Sequence, residues 1–200
     1  VLQVILITFL KGGEKLDKKE WLILNFTLPK EQSRVRVSVW RKLKKSGAVN
    51  IGQSMWILPN MESHLEIFNG ISSEIKENNG SSYIANADFI ETESSDDVIA
   101  AFNNTRNDEY REFIDKCEDF FLEIEKETQK ENFTFAELEE NEEEYDKLAE
   151  WLNKINKRDF FGAFLKNQSE EALQKCKQLL DGFADKVYKV SNNEDFGKDK

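Results

Sequence analysis

Histidine is all but absent from this 200-residue chain: His64 stands alone. That removes the nucleophile–histidine pairs and histidine-rich metal sets on which much hydrolytic and oxidative chemistry rests. Proline occurs twice and glycine nine times, which leaves little room for linkers and suits long helices. The two cysteines, Cys117 and Cys176, do not make a disulfide framework, so a reducing cytoplasm is the expected compartment. No window approaches the roughly 20 apolar residues of a membrane span. The apolar run Leu2 to Leu10 is short and has no basic segment ahead of it, as a signal peptide would. It reads as an extra strand or hydrophobic arm, or else as a poorly ordered start. Also missing are a glycine-rich phosphate loop, a Cys-x-x-Cys pair and a Ser/His/Asp set. With no organised catalytic constellation, no enzyme activity, cofactor or metal is expected.

What is present is a folded chain with a divided charge. Hydrophobic residues make up 39% and aromatic residues 12%, enough to build a sizeable core in one large domain or two small ones. The net charge of −11 is unevenly spread. Residues 1–47 hold eleven Lys and Arg against four Asp and Glu, a local excess of +7, and the rest of the chain carries −18. A basic segment on an acidic body keeps nucleic acid among the candidate partners. It is equally suited to complementing the acidic half, within one chain or between two.

The order of patterns gives the architecture. After a charged linker from Lys11 to Glu20, Trp21 to Leu28 is apolar with little alternation, the mark of a central strand buried on both faces. Pro29 stops it, Ser33 is a candidate cap, and Gly47 ends the helix that follows. Ala48 to Leu58 is strand-like, with Gly52-Gln53-Ser54 as a break that turns one strand into two. Met61 to Asn79 places Leu65, Phe68, Ile71 and Ile75 at helical spacing, and Ser81 to Ile90 alternates Tyr83, Ala85, Ala87 and Phe89 as a strand does. The order β-α-β-β-α-β is ferredoxin-like.

Beyond Glu91 the period becomes helical throughout. One helix is expected through Tyr110, Phe113, Cys117, Phe120 and Ile124, beginning near Ser95 or Asp96. A second carries Leu138, Leu148, Leu152 and Ile155, and a third Leu173, Cys176, Leu180, Phe183 and Val187. Phe133, Phe135, Phe160, Phe161 and Phe164 in the connections suggest docked loops. The expected fold is therefore α+β: an arm or linker over 1–20, a ferredoxin-like domain over 21–91, a helical bundle region over 92–190 packed on it, and a flexible polar tail over 191–200.

The basic helix carries the main functional signal. At about 100° per residue, Val35, Val39, Trp40 and Leu43 cover one side. Arg34, Ser38, Arg41 and Lys45 fall opposite, flanked by Lys42 and Lys44. Arg34, Arg41, Lys42, Lys44 and Lys45 are thus the candidate DNA-contact residues. Arg36 falls in the middle of the apolar side, where a guanidinium needs a carboxylate or carbonyl partner. It is either a buried ion pair pinning the helix to the strand ends or an oxyanion contact. Other clusters are weaker. Glu137, Glu139, Glu140, Glu142, Glu143 and Glu144 read as a solvated face, because carboxylate metal bundles also need Glu-x-x-His partners. His64 reads as a capping or surface residue, and both cysteines as core thiols.

Ser33-Arg34-Val35-Arg36, Val39-Trp40-Arg41-Lys42-Leu43, Gly47-Ala48, Gln53-Ser54 and Trp56-Ile57-Leu58-Pro59 resemble the N-terminal domain family of the chromate resistance protein ChrB. Phe133-Thr134-Phe135-Ala136-Glu137-Leu138 and Arg158-Asp159-Phe160-Phe161-Gly162 are similar to that family's helical half. The likeness runs from about Trp21 to Tyr188. It implies a first half similar to the module of PaaX-type transcriptional repressors and of the small CRISPR adaptation endonucleases, and a role in chromate-responsive transcriptional control. The family's further C-terminal domain is not among these residues, so chromate sensing itself is not implied. The endonuclease's metal-binding Asp has no match either: the first strand offers Asn25 and Thr27.

Two functions from different classes follow as expectations. One is a cytoplasmic regulator that contacts double-stranded DNA through the basic helix. The other is a non-catalytic assembly module that binds a partner protein, or a second copy, through that helix or the sheet edge. Neither involves a membrane.

Overall fold

The computed structural model describes residues 20–197, with side chains described through residue 192. The arm and linker expected before Glu20 lie outside these residues. Two compact units divide at Val98/Ile99, about two turns into a helix that begins at Thr92.

The first unit is a four-stranded antiparallel sheet with two helices, in the ferredoxin-like order. Strand β1 (Trp21–Thr27) is followed by α1 (Ser33–Ser46), β2 (Val49–Gly52), β3 (Met55–Pro59), α2 (Glu62–Glu77) and β4 (Ser81–Ala87). The sheet order is β2-β3-β1-β4. The apolar β1 lies inside the sheet, as its lack of alternation predicts: Leu22 pairs with Leu58 of β3 and with Asn86 of β4. One sheet face gathers Leu22, Leu24, Trp56 and Leu58, and the helices bury Val39, Leu43, Phe68, Ile71 and Ile75. Seryl hydroxyls join α2 to this face, Ser72 Oγ lying 2.8 Å from Ser82 Oγ.

Turn chemistry sets the element ends. The cap of α1 is Gln32, which makes no side-chain bond, so Ser33 is the first helical residue rather than the cap. At the other end Gly47 takes φ 83°, and the Gly47 and Ala48 amides donate to the Lys44 and Leu43 carbonyls at 3.1 Å. That is the paired closure a left-handed glycine permits. The β2–β3 hairpin turns at Gln53-Ser54, and the register shifts between Asn50 and Gly52, leaving Ile51 as a bulge. Helix α2 closes the same way as α1 through Asn79, at φ 60°, and Gly80, whose amide reaches the Ile75 carbonyl at 2.9 Å. The last strand stops at Ala87, short of Ile90, and its Tyr83 is 72% exposed.

The second unit holds three helices in register with the helical period. Helix α3 (Thr92–Gln129) starts three residues before Ser95, and α4 (Phe135–Asn156) and α5 (Lys166–Gly197) follow. Helix α5 runs past Ser191, where a tail was expected; the first glycine after that point is Gly197. Tyr110, Phe113, Cys117, Phe120 and Ile124 of α3 meet Leu138, Leu148, Leu152 and Ile155 of α4 and Cys176, Leu180, Phe183 and Val187 of α5 in one buried cluster. The connections are docked through Phe133 on Phe183 and through Phe160 and Phe161 on Phe102. Phe164, 87% exposed, and Phe135, 52% exposed at the first position of α4, are the exceptions.

Two outcomes test this packing. A Cβ at Gly80 would sit 2.6 Å from the Thr27 carbonyl and 2.9 Å from that of Ile75, both backbone atoms. Gly80→Ala should therefore cost about 1–3 kcal/mol, as overpacking does, read as a lowered urea midpoint. Cys117 and Cys176 are fully buried, and their mutual hydrogen bond and burial push the Cys117 thiol up. Both should resist a thiol reagent in the native protein and react together on unfolding; fast native labelling would contradict the packing.

Candidate nucleic-acid interface

Helix α1 is rich in Arg, Lys and Val, and its rotation about its own axis decides which cations face water. Val39 and Leu43 are its two buried residues. On the adjoining flank, Glu74 of α2 accepts from Ser38 Oγ at 2.7 Å and from Lys42 Nζ at 2.8 Å. Burial acts to raise the Glu74 pKa, but the bonds from Lys42 and Ser38 outweigh it and hold the carboxyl below its ordinary value. Pinned on this side, α1 turns Arg34, Arg41 and Lys45 to solvent. Among the described residues no carboxylate holds any of the three. Lys42 is committed to Glu74, and Lys44 is half-buried. Three of the five candidate contacts are thus open cations, and Ser38 belongs to the helix–helix joint.

The structure corrects two side chains. Trp40, assigned to the apolar side, is 51% exposed, with Val37 at 46% beside it on the outward face. Arg36 is exposed rather than buried. Its Nη2 donates to the carbonyls of Pro29 at 3.0 Å and Leu28 at 3.5 Å, so it does pin the helix to the strand end, but through carbonyls and not an ion pair. The cause is shared. The buried stripe centres on Val39 and Leu43, which places Trp40 outside it and Arg36 on its margin. An arginine in the middle of a predicted apolar side was the signal that this boundary was misdrawn.

Arg36 borders an open cavity of about 330 Å³ with Phe26, Asn50, Gln53, Ser54 and Trp56. No carboxylate lines it. Arg36, Gln53, Ser54 and Trp56, which the sequence presents as separate motifs, therefore share one wall. A guanidinium whose Nε and Nη1 meet no acceptor among the described residues, beside amide and hydroxyl groups, can receive a small anion.

The motifs of the helical half serve structure. Thr134 caps α4 by accepting from the Glu137 amide at 3.2 Å. Asp159 accepts from the Gly162 and Ala163 amides at 3.0 Å and from Tyr110 Oη at 3.1 Å. Arg158 and the buried Arg106, 1% exposed, share the Glu109 carboxylate at 2.7 and 3.0 Å. His64 is also buried, its Nδ1–H donating to the Pro59 carbonyl at 2.8 Å, and burial lowers its pKa. It is neither a surface residue nor a side-chain cap. The glutamates 139, 140, 142, 143 and 144 are exposed on α4. Among the described residues no helix is long and apolar enough to cross a membrane.

Compared with known families, the chain matches the model described as "Protein ChrB, N-terminal" over residues 36–194. It belongs to this family. At family level it is a ChrB-like protein associated with chromate resistance. The match begins within α1 at Arg36 and spans most of both units. No curated protein and no solved structure matches the chain.

The Glu74 clamp generates a prediction. Glu74→Gln should release Lys42 as a fourth open cation, so that any binding of duplex DNA to this face gains a salt slope steeper by about one unit, while costing at most about 1 kcal/mol of stability for a solvent-screened pair. Because the folded pKa is depressed, the carboxylate's stabilising contribution is present above its ordinary value near 4.5 and lost as pH falls through the lowered one. The variant should lose that part of the acid dependence. An unchanged salt slope would show that Lys42 never reaches the phosphates.

Proposed function

We propose that this protein is a cytoplasmic, non-enzymatic regulator of the ChrB type that controls transcription by contacting double-stranded DNA through the outward face of α1. The observation that supports the reading is Arg34, Arg41 and Lys45 standing exposed together, without carboxylate partners among the described residues, in a chain of net charge −11. Cations left open against so acidic a background are matched by an external polyanion, and their phosphate contacts would position the protein without reading sequence. Arg36 and its cavity are the place where an oxyanion effector would act on the same helix. The competing reading is an assembly module, which the outer strands β2 and β4 support, since each pairs on one side within the sheet.

Duplex titration at two salt concentrations separates the readings. Phosphate neutralisation releases counterions, so the DNA-binding reading expects affinity to fall steeply with salt, and a hydrophobic protein interface does not. Replacing Arg34, Arg41 and Lys45 together with glutamate should abolish duplex binding with the melting temperature unchanged, because all three lie on the solvent side. If that triple variant binds duplex as the parent does, α1 is not the contact surface.

A further inference from the structure

We infer that α1 engages single-stranded nucleic acid, with a base stacked on the indole of Trp40 and the neighbouring phosphates held by the cations around it. This rests on the nucleic-acid reading of the same helix and adds, beside its phosphate contacts to duplex, a mode for strands whose bases are unpaired.

The chain has four tryptophans. Trp21 and Trp56 are buried and Trp151 is half-buried, whereas Trp40 is half exposed. A large aromatic side chain half left in water gives up about half of the free energy its burial would return. Among the described residues Trp40 has no aromatic or cationic partner, and half of its surface is open to solvent. Helical spacing sets Arg36 one turn before it and Lys44 one turn after it, on the same row, about 6 Å away on either side. Arg41 is its chain neighbour, and Val37 flanks it. The guanidinium of Arg36 is held from one nitrogen by the Leu28 and Pro29 carbonyls, so it is steadied at the edge of the row with donors to spare.

This arrangement favours one kind of polyanion. In a closed duplex the base faces are stacked on one another and offer nothing to an indole, and the phosphates ask only for charge. In a single strand the base faces are open, and aromatic rings interleaved with arginine and lysine are the features that bind them. An acidic protein surface would satisfy the cations and leave the ring unused. Val37 and Trp40 alone form too small an apolar patch to drive protein docking.

The test uses the full chain with a thymidine oligonucleotide, a blunt duplex of equal length and polyglutamate as probes. Trp40 is the most exposed of the four indoles, so stacking should quench intrinsic fluorescence on adding the oligonucleotide. By anisotropy of a labelled oligonucleotide, Trp40→Ala should weaken binding about 5- to 150-fold, the equivalent of 1–3 kcal/mol per stacked base. Trp40→Phe, which keeps a ring, should recover much of the loss, and circular dichroism should show both variants folded. Binding by Trp40→Ala equal to the parent's overturns the inference, as does duplex binding with no affinity for the oligonucleotide. Either leaves α1 as a phosphate-reading face and the proposed function standing. Failure of the parent to bind either nucleic acid overturns both. Quenching by polyglutamate alone also overturns both and assigns the face to an acidic protein.

Discussion

Everything said about the surface of this protein depends on one constraint, the rotational setting of α1. Two aliphatic side chains, Val39 and Leu43, are withdrawn from water, and a carboxylate on the next helix accepts from Ser38 and Lys42. The apolar pair alone would tolerate some rolling, because dispersion and burial are not directional. The two bonds to Glu74 are directional and remove that freedom. Arg34, Arg41 and Lys45 then point outward as a set, and Trp40 is left half exposed on the flank between them and the buried stripe. The lysine committed to the clamp is withdrawn from the open cations, and the other three keep a fixed presentation.

The second unit rests on a different balance. Its apolar seam is ordinary, but its corner at Arg158-Asp159 is polar and largely enclosed. Glu109 serves two guanidiniums and Asp159 serves Tyr110 and two loop amides. Buried pairs of this kind are weak contributors to stability and strong determinants of geometry, since removing one partner strands the other. The polar corner fixes the α4–α5 connection, and the two phenylalanines that follow are delivered onto Phe102 as a consequence. The family's helical-half motifs are legible as architecture on this basis, whereas Arg36, Gln53, Ser54 and Trp56 meet at a cavity.

Much of this was readable from the chain because local rules and the tertiary fold agree. The unbroken apolarity of Trp21 to Leu28 marks the inner strand, Gly47 and Asn79-Gly80 mark helix ends, and the period change after Glu91 marks the helical half. The failures share a cause. Glu74 lies 32 residues from Lys42, and no local pattern says that it will claim that lysine and Ser38. A helical wheel assigned Trp40 inward by its size and found Arg36 stranded beside it; long-range packing resolved both by turning the helix. Arg106 was unreadable for the opposite reason, being a charge placed where only apolar residues are expected.

The position of β1 has a consequence for synthesis. It is the first strand among the described residues and lies within the sheet, pairing on both sides with strands that are made later. Thr27 pairs with Ser81, and Gly80 passes against the Thr27 carbonyl. A ribosome adding about 5–20 residues per second needs roughly 3–11 s to make the intervening residues. For that interval the β4-facing edge of an apolar strand stands open, the condition that invites association with other chains. The helices of the second unit satisfy their backbone hydrogen bonds within themselves and present no such edge. The first half of this protein, small as it is, is where a nascent chain most needs protection.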